Sequence, residues 1–393
     1  MGARGGFFKA RLWTGTVRGL PGARRNATSV APLALDWSAP DPIARIRREA
    51  CGETESRLEM QTIRVQNGAI ELAVTVQGEG PLIVCVHGWP ELGYSWRHQQ
   101  RFFAARGYRI ATMDVRGYGN SSRPEAVADY SMRHLCADVA AVIQTLGAVD
   151  PKRPARAILF GHDWGAPIAW NTAVLFPQYV RAVAGLSVPF VPIRSRSFLE
   201  LAAEIYRDRF FYQLYFQEEG RAEADFSADV GSALRKVYYA LSGEGIRDTA
   251  VRDAFVTKSK DDALLVGLVD PDPFPAWLTA EDLHVFTETF SRTGFRGAFN
   301  RYRAQTIDVA ELAHIAGQPV VQPACFIAGA EDPVRNFVPG VDAYAKAGQY
   351  CRDLRGSHIL PGVGHWVQQE APELTNQHLT AFLNTLSETP SNP

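Results

Sequence analysis

The chain is short of the features that mark several common protein classes. No apolar run approaches the roughly 18 residues of a membrane-spanning helix, so no span is expected. The 393 residues include five cysteines, Cys51, Cys85, Cys136, Cys325 and Cys351, which are scattered, odd in number and never spaced as CxxC. That usage argues against a zinc site and a disulfide framework and fits a reducing, cytoplasmic compartment. An excess of charge of one sign is also missing: 41 Lys and Arg face 42 Asp and Glu, a net charge of -1. No broad field draws the protein to nucleic acid or to acidic membranes. GxSxG is absent, which disfavours a serine hydrolase, and His87, His162 and His365 show no metal-ligand spacing. Neither a metal nor a cofactor is expected.

A composition 46% hydrophobic and 21% charged is that of a globular protein with a sizeable core. From Met1 to Leu35 the chain carries Arg4, Lys9, Arg11, Arg18, Arg24 and Arg25 and not one acidic residue, with no apolar stretch of signal-peptide length. An unstructured extension, an Arg-rich organelle-targeting segment and coding sequence upstream of a start near Met60 all stay open for residues 1–59, which are expected to play no part in catalysis. From residue 61 the pattern is regular. QTIRVQ and AIELAVTVQ alternate around Asn67-Gly68 like strands of a hairpin, and LIVCVHG is the continuous run of a strand buried on both faces. Further runs at RIATMDV, ARAILFG, RAVAGLSV, PACFIAGA and the short SHILPGV are separated in several places by helical patterns, which predicts a doubly wound, mostly parallel α/β sheet. Between residues 189 and 305 aromatic-rich helical patterns replace that rhythm, so an all-helical cap is expected there. It is flanked by core segments 60–188 and 306–388.

Within this frame GHDWG, residues 161 to 165, falls between a strand and a helix. Glycines two before and two after the apex allow a sharp turn that lifts the Asp163 side chain over the sheet edge, the geometry of a nucleophile elbow with aspartate at its tip. A plain helix cap is the alternative for Asp163 alone. Two later loops strengthen the elbow reading: Asp332 follows PACFIAGA in GAEDP, and His365 follows SHILPGV in GVGHW, in the chain order nucleophile, acid, histidine. Singly, Asp332 could be a turn former and His365 a structural histidine. His87-Gly88-Trp89-Pro90 follows the buried strand directly, where the Trp89 N–H could converge with the N–H of Trp164 to form an oxyanion hole. His162, His87, Gly88 and Pro90 support these turns, with a cis peptide before Pro90 left open.

The segments GEGPLIVCVHGWPELGYSWRHQ, MDVRGYGNSSRP, GHDWGAPIAW, FYQLYFQEEG, TGFRGAFNRYR, AEDP and GVGHW resemble, in order and over roughly residues 61 to 385, those of the α/β-hydrolase-fold epoxide hydrolases. The resemblance implies that fold with a helical cap, Asp163 as nucleophile, Asp332 and His365 as acid and base, Trp89 and Trp164 as oxyanion donors, and Tyr212 and Tyr302 as ring-opening acids. It also implies a cofactor-independent conversion of an organic epoxide to a vicinal diol, a detoxification chemistry; the aromatic residues near the motifs point to a small lipophilic epoxide, and the oligomeric state, monomer or homodimer, stays open. Glu219, Arg301 and Gly93 depart from the family pattern at positions that bear on the pocket. The chemistry also follows from the residues. A carboxylate is ionised at neutral pH and can attack an sp³ carbon without a base. An epoxide leaves as an alkoxide and needs a proton donor, for which tyrosine is suited. A halide needs none, which keeps a haloalkane or haloacid dehalogenase of the same fold as the alternative. Taken alone, Tyr212 and Tyr302 read more readily as core aromatics, with Tyr215 a neighbour able to take the same role. Trp89, Trp164, Phe190, Phe211, Trp277 and Trp366 are expected around an apolar pocket.

Overall fold

A computed structural model describes residues 59–147 and 155–387. The expected extension over residues 1–59 therefore lies outside the described residues except for Glu59, and so does the polar tail after residue 387. Eight strands form one sheet in the order β1-β2-β4-β3-β5-β6-β7-β8, with β1 Gln61–Asn67, β2 Ile70–Gln77, β3 Leu82–Val86, β4 Arg109–Met113, β5 Ala157–His162, β6 Val180–Leu186, β7 Val320–Gly329 and β8 Cys351–Leu360. The hairpin β1-β2 is antiparallel around Gly68, whose φ of 60° is the left-handed value its turn requires. The β2-β4 pair is also antiparallel, and the remaining pairs run parallel.

Period-two alternation sends successive side chains of β3 and β5 to opposite faces of the sheet, and both strands are buried along their whole length. Val84, Val86 and Leu159 point to one face of the sheet, where Leu135, Val139, Ile168 and Ala169 of the helices Met132–Gly147 and Gly165–Leu175 cover them. Ile83, Cys85, Ile158 and Phe160 point to the other, against Phe103, Leu379 and Phe382 of Arg97–Ala104 and Pro372–Ser387. Each face thus has its own helical layer and buried core. The fully buried Phe103 or Phe382, truncated to Ala, would cost about 3–5 kcal/mol.

The differences from the sequence reading lie at element ends. β8 starts at Cys351, well before SHILPGV, because CRDLRG is a half-buried edge segment with no continuous apolar run. β5 continues through His162, so the turn is tighter than the motif suggests. The segment between β6 and β7 is helical, from Phe198–Ile205 to Gln305–Glu311, and several of its helices begin on side-chain caps. Ser197 and Glu200 form a reciprocal capping box, as do Thr279 and Asp282. Specific bonds tie this segment to the core: Tyr238 donates to the Pro90 carbonyl at 2.8 Å, Arg97 pairs with Asp282 at 2.8 Å, and the Met132 N–H donates to Asp308 at 2.7 Å.

Candidate active site

The elbow is built by close approach. Asp163 sits at φ 49°, a left-handed conformation costing a non-glycine residue about 1–3 kcal/mol. Two glycines make room for it. A Cβ on Gly165 would stand 2.0 Å from the Val86 carbonyl oxygen, and one on Gly88 2.3 Å from Asp163 Oδ1. The turn is pinned on both sides, since the Asp163 N–H donates to Leu186 and its carbonyl accepts from Ala166.

Parallel strand ends bring the loops together at the carboxyl edge of the sheet, where the order reverses around β3. The Trp89 N–H donates to Asp163 Oδ1 at 2.7 Å. The other oxygen, Oδ2, lies 3.3 Å from His365 Nε2, whose Nδ1 is 2.9 Å from Asp332 Oδ2. Asp332 Oδ1 accepts the Val334 N–H at 2.9 Å, which holds the acid in place. All three side chains are buried, at 8%, 3% and 1% exposure for Asp163, His365 and Asp332. Burial lowers the pKa of His365, but Asp332 and Asp163 on its two nitrogens more than offset this, so it stands well above the ordinary value. Trp164 follows the apex in helical conformation, its ring 5.4 Å from that of Tyr302. The Trp89–Pro90 peptide is cis.

His87 and His162 brace the frame. The Val115 N–H donates to His87 Nε2 at 3.0 Å, so His87 Nδ1 carries the proton given to the Gly88 carbonyl at 2.8 Å. His162 bonds the His365 carbonyl through Nε2 at 2.8 Å and Glu91 through Nδ1 at 2.7 Å. Burial alone would raise the pKa of Glu91, but His162 and the Gly88 N–H outweigh it and lower it to about 2. Glu91 and Ser187 were not singled out in the sequence. Glu91 is fully buried and also receives Gln368 and Gln369. Ser187, at φ 65°, donates to the His365 carbonyl at 2.7 Å. A carboxylate one residue past HGWP, within a buried segment, was the available signal for Glu91. Ser187 carries none.

Tyr212 and Tyr302 approach from the inserted helices, their rings 5.8 Å apart and 6.4 Å and 5.9 Å from Trp89. Burial, then the Asp163 charge, raises Tyr212; burial, then Tyr212 and Asp163, raises Tyr302. Both phenols are therefore neutral at ordinary pH. Tyr215 is turned away, with its hydroxyl on Asp225 and Arg221 over its ring.

A cavity of about 740 Å³ reaches Asp163, Trp164 and Tyr212, lined further by Phe190, Phe198 and Phe337. Other aromatics expected in its wall pack elsewhere. Trp89 lies among Phe216, Phe226 and Phe299, Phe211 stacks on Tyr206, Trp277 packs on Phe274, and Trp366 donates to the Tyr238 carbonyl. The three departures have distinct places. Glu219 forms an exposed pair with Arg296, and Gly93 donates its N–H to Asp114. Arg301 is buried against Asp308, donates to the Tyr130 carbonyl at 2.6 Å and lies 4.7 Å from the Trp164 ring centre. Among the described residues no group of three His, Cys, Asp or Glu could hold a metal ion, and no helix is long and apolar enough to cross a membrane.

The family model described as alpha/beta hydrolase fold matches residues 81–372. Epoxide hydrolase A of Mycobacterium tuberculosis is 37% identical over 324 residues, covering 82% of this chain and 97% of that protein. The solved epoxide hydrolase from an endophytic Streptomyces superposes with a TM-score of 0.77 at 39% identity, over 85% of this chain and 97% of that one. Epoxide hydrolase A of Mycobacterium thermoresistibile superposes at 0.75 with 38% identity, over 83% and 98%. The chain belongs to the α/β-hydrolase-fold epoxide hydrolase family.

Proposed function

We propose that the protein hydrolyses organic epoxides to vicinal diols through an ester on Asp163. One observation carries this reading: Asp163 has one carboxylate oxygen on the Trp89 N–H and the other facing the His365–Asp332 pair, beneath two buried tyrosines. Asp163 attacks a ring carbon, the C–O bond breaks, and Tyr212 or Tyr302 gives its proton to the departing oxygen. The resting His365 is held protonated by two carboxylates; its proton passes to the tyrosinate. Esterification then removes the Asp163 charge, which leaves His365 neutral and able to act as base. It takes a proton from water attacking the Asp163 carbonyl carbon, and the oxyanion falls to the Trp89 and Trp164 N–H groups. Collapse breaks the bond to the substrate oxygen, which takes the remaining proton of the added water, and so releases the diol, restores the Asp163 carboxylate and leaves the histidine charged.

The residues 60–188 and 306–388 act as the core and 189–305 as the cap that supplies the acids. Phe190, Phe198 and Phe337 along the cavity favour lipophilic epoxides, and a cavity within the usual 300–1,000 Å³ range accepts a drug-sized molecule. Among the described residues the cysteines Cys85, Cys136, Cys325 and Cys351 are free thiols, which fits a cytoplasmic location. The test is a parallel assay of the protein and Asp163→Asn on an aryl epoxide, a fatty-acid epoxide, a haloalkane and a haloacetate. Diol formation by the unaltered protein alone supports the reading, and halide release without diol would move it to dehalogenation.

A further inference from the structure

Beside the tyrosine pair runs a chain of amides. Gln213 Nε2 donates to the Tyr212 hydroxyl oxygen at 3.0 Å, and Gln305 Nε2 donates to Gln213 Oε1 at 3.1 Å and to the Tyr302 carbonyl at 3.1 Å. Gln217 closes the group by donating to the Gln213 carbonyl at 2.7 Å. Gln213 and Gln305 are 6% and 7% exposed and line the cavity, Gln213 from the helical turn Tyr212–Tyr215 and Gln305 from the helix Gln305–Glu311 that follows the one bearing Tyr302. A primary amide can face either way. Here Gln305 settles the direction, because a donor placed on Gln213 Oε1 turns the NH₂ end toward Tyr212.

We propose that Gln213, oriented by Gln305, is a positioning residue for ring opening: it occupies one lone pair of the Tyr212 oxygen and thereby aims the O–H at the epoxide. The inference rests on the epoxide-hydrolysis reading. Its physical basis is that a bond donated to a phenol oxygen strengthens as the proton departs and charge develops, so it counts for more in the transition state than before it. Burial and the charges of Asp163 and Asp332 oppose a phenolate at Tyr212, whereas bonds from Gln213 and Tyr302 favour one. The amide chain thus supplies part of what burial removes, without placing a second charge beside Asp163.

The test is rapid-quench measurement of the two half-reactions with an aryl epoxide, following the alkyl-enzyme by mass spectrometry in the unaltered protein, Gln213→Met, Gln305→Met and the double variant. Gln213→Met should slow alkylation by about 5- to 30-fold, the worth of one such bond, and leave hydrolysis of the alkyl-enzyme within about twofold. Gln305→Met should slow alkylation less, and the double variant no more than Gln213→Met, because both act through one bond. An unaltered alkylation rate in Gln213→Met, or equal losses in both half-reactions, would overturn the proposal. Should Gln213→Met fail to fold, Gln305→Met decides by the same criteria. An unaltered protein that forms no alkyl-enzyme would overturn the epoxide reading, and this inference with it.

Discussion

Trp89 and Asp163 are 74 residues apart in the chain, and the Trp89 amide donates to Asp163 Oδ1 at 2.7 Å. The contact fixes which carboxylate oxygen faces the amide donor and leaves Oδ2 free toward His365. Asp163→Asn keeps a residue that tolerates the left-handed backbone but removes the charge that, on the proposed mechanism, attacks carbon. Diol formation should fall below detection while the thermal midpoint stays within a few degrees, as measured by product assay and calorimetry.

The Asp332 pair sets when His365 can act. Burial favours neutral imidazole, and Asp332 is the largest influence in the opposite direction. Loss of that charge in Asp332→Asn should lower the histidine pKa and move the acid limb of alkyl-enzyme hydrolysis to lower pH. The plateau rate should also fall, because the ring loses its orientation. Single-turnover rates against pH check both effects.

Tyr212 and Tyr302 lie with their rings 5.8 Å apart, both within reach of the Asp163 charge, and on the proposed mechanism either alone retains some proton donation. Tyr212→Phe and Tyr302→Phe should each slow alkylation by about 10²-fold or more, and the double variant should abolish it with folding intact. Near-normal turnover by the double variant would return both side chains to a packing role.

Arg301 and Asp308 are both buried, and Asp308 also accepts the Met132 N–H. Arg301→Met strands the acid and should destabilise the protein by about 3–5 kcal/mol in urea unfolding, while Arg301→Met with Asp308→Asn recovers part of that loss.

Glu91 gives a separate signature in acid. Its pKa of about 2 lies below its ordinary 4.5, so it contributes stability above pH 4.5 that is lost as pH falls toward 2. Glu91→Gln should lower the stability at neutral pH and flatten the acid limb of urea midpoints between those values.

Much of the fold was legible because its signals are local. Continuous apolar runs mark β3 and β5, which are buried on both faces, and glycines mark the elbow around Asp163, where any Cβ would collide. The half-buried start of β8 lacks such a run and was missed. The chain order of Asp163, Asp332 and His365 located residues that the fold brings within 3.3 Å and 2.9 Å of one another. Ser187, Gln213 and Gln305 were not legible, because each owes its place to a partner that no local pattern encodes: the His365 carbonyl, Tyr212 and Gln213. The aromatic residues misled for a related reason. Phe211, Trp277 and Trp366 stand near the motifs in sequence but pack against Tyr206, Phe274 and Tyr238.

The central claim is the ester on Asp163, and a single turnover in heavy-oxygen water with protein in excess over an aryl epoxide tests it most directly. Water attacking the Asp163 carbonyl carbon leaves the heavy atom in the enzyme, so the account predicts an unlabelled first-turnover diol and a labelled Asp163 peptide by mass spectrometry. A labelled diol from an unlabelled enzyme would mean direct attack of water on the epoxide and would contradict it.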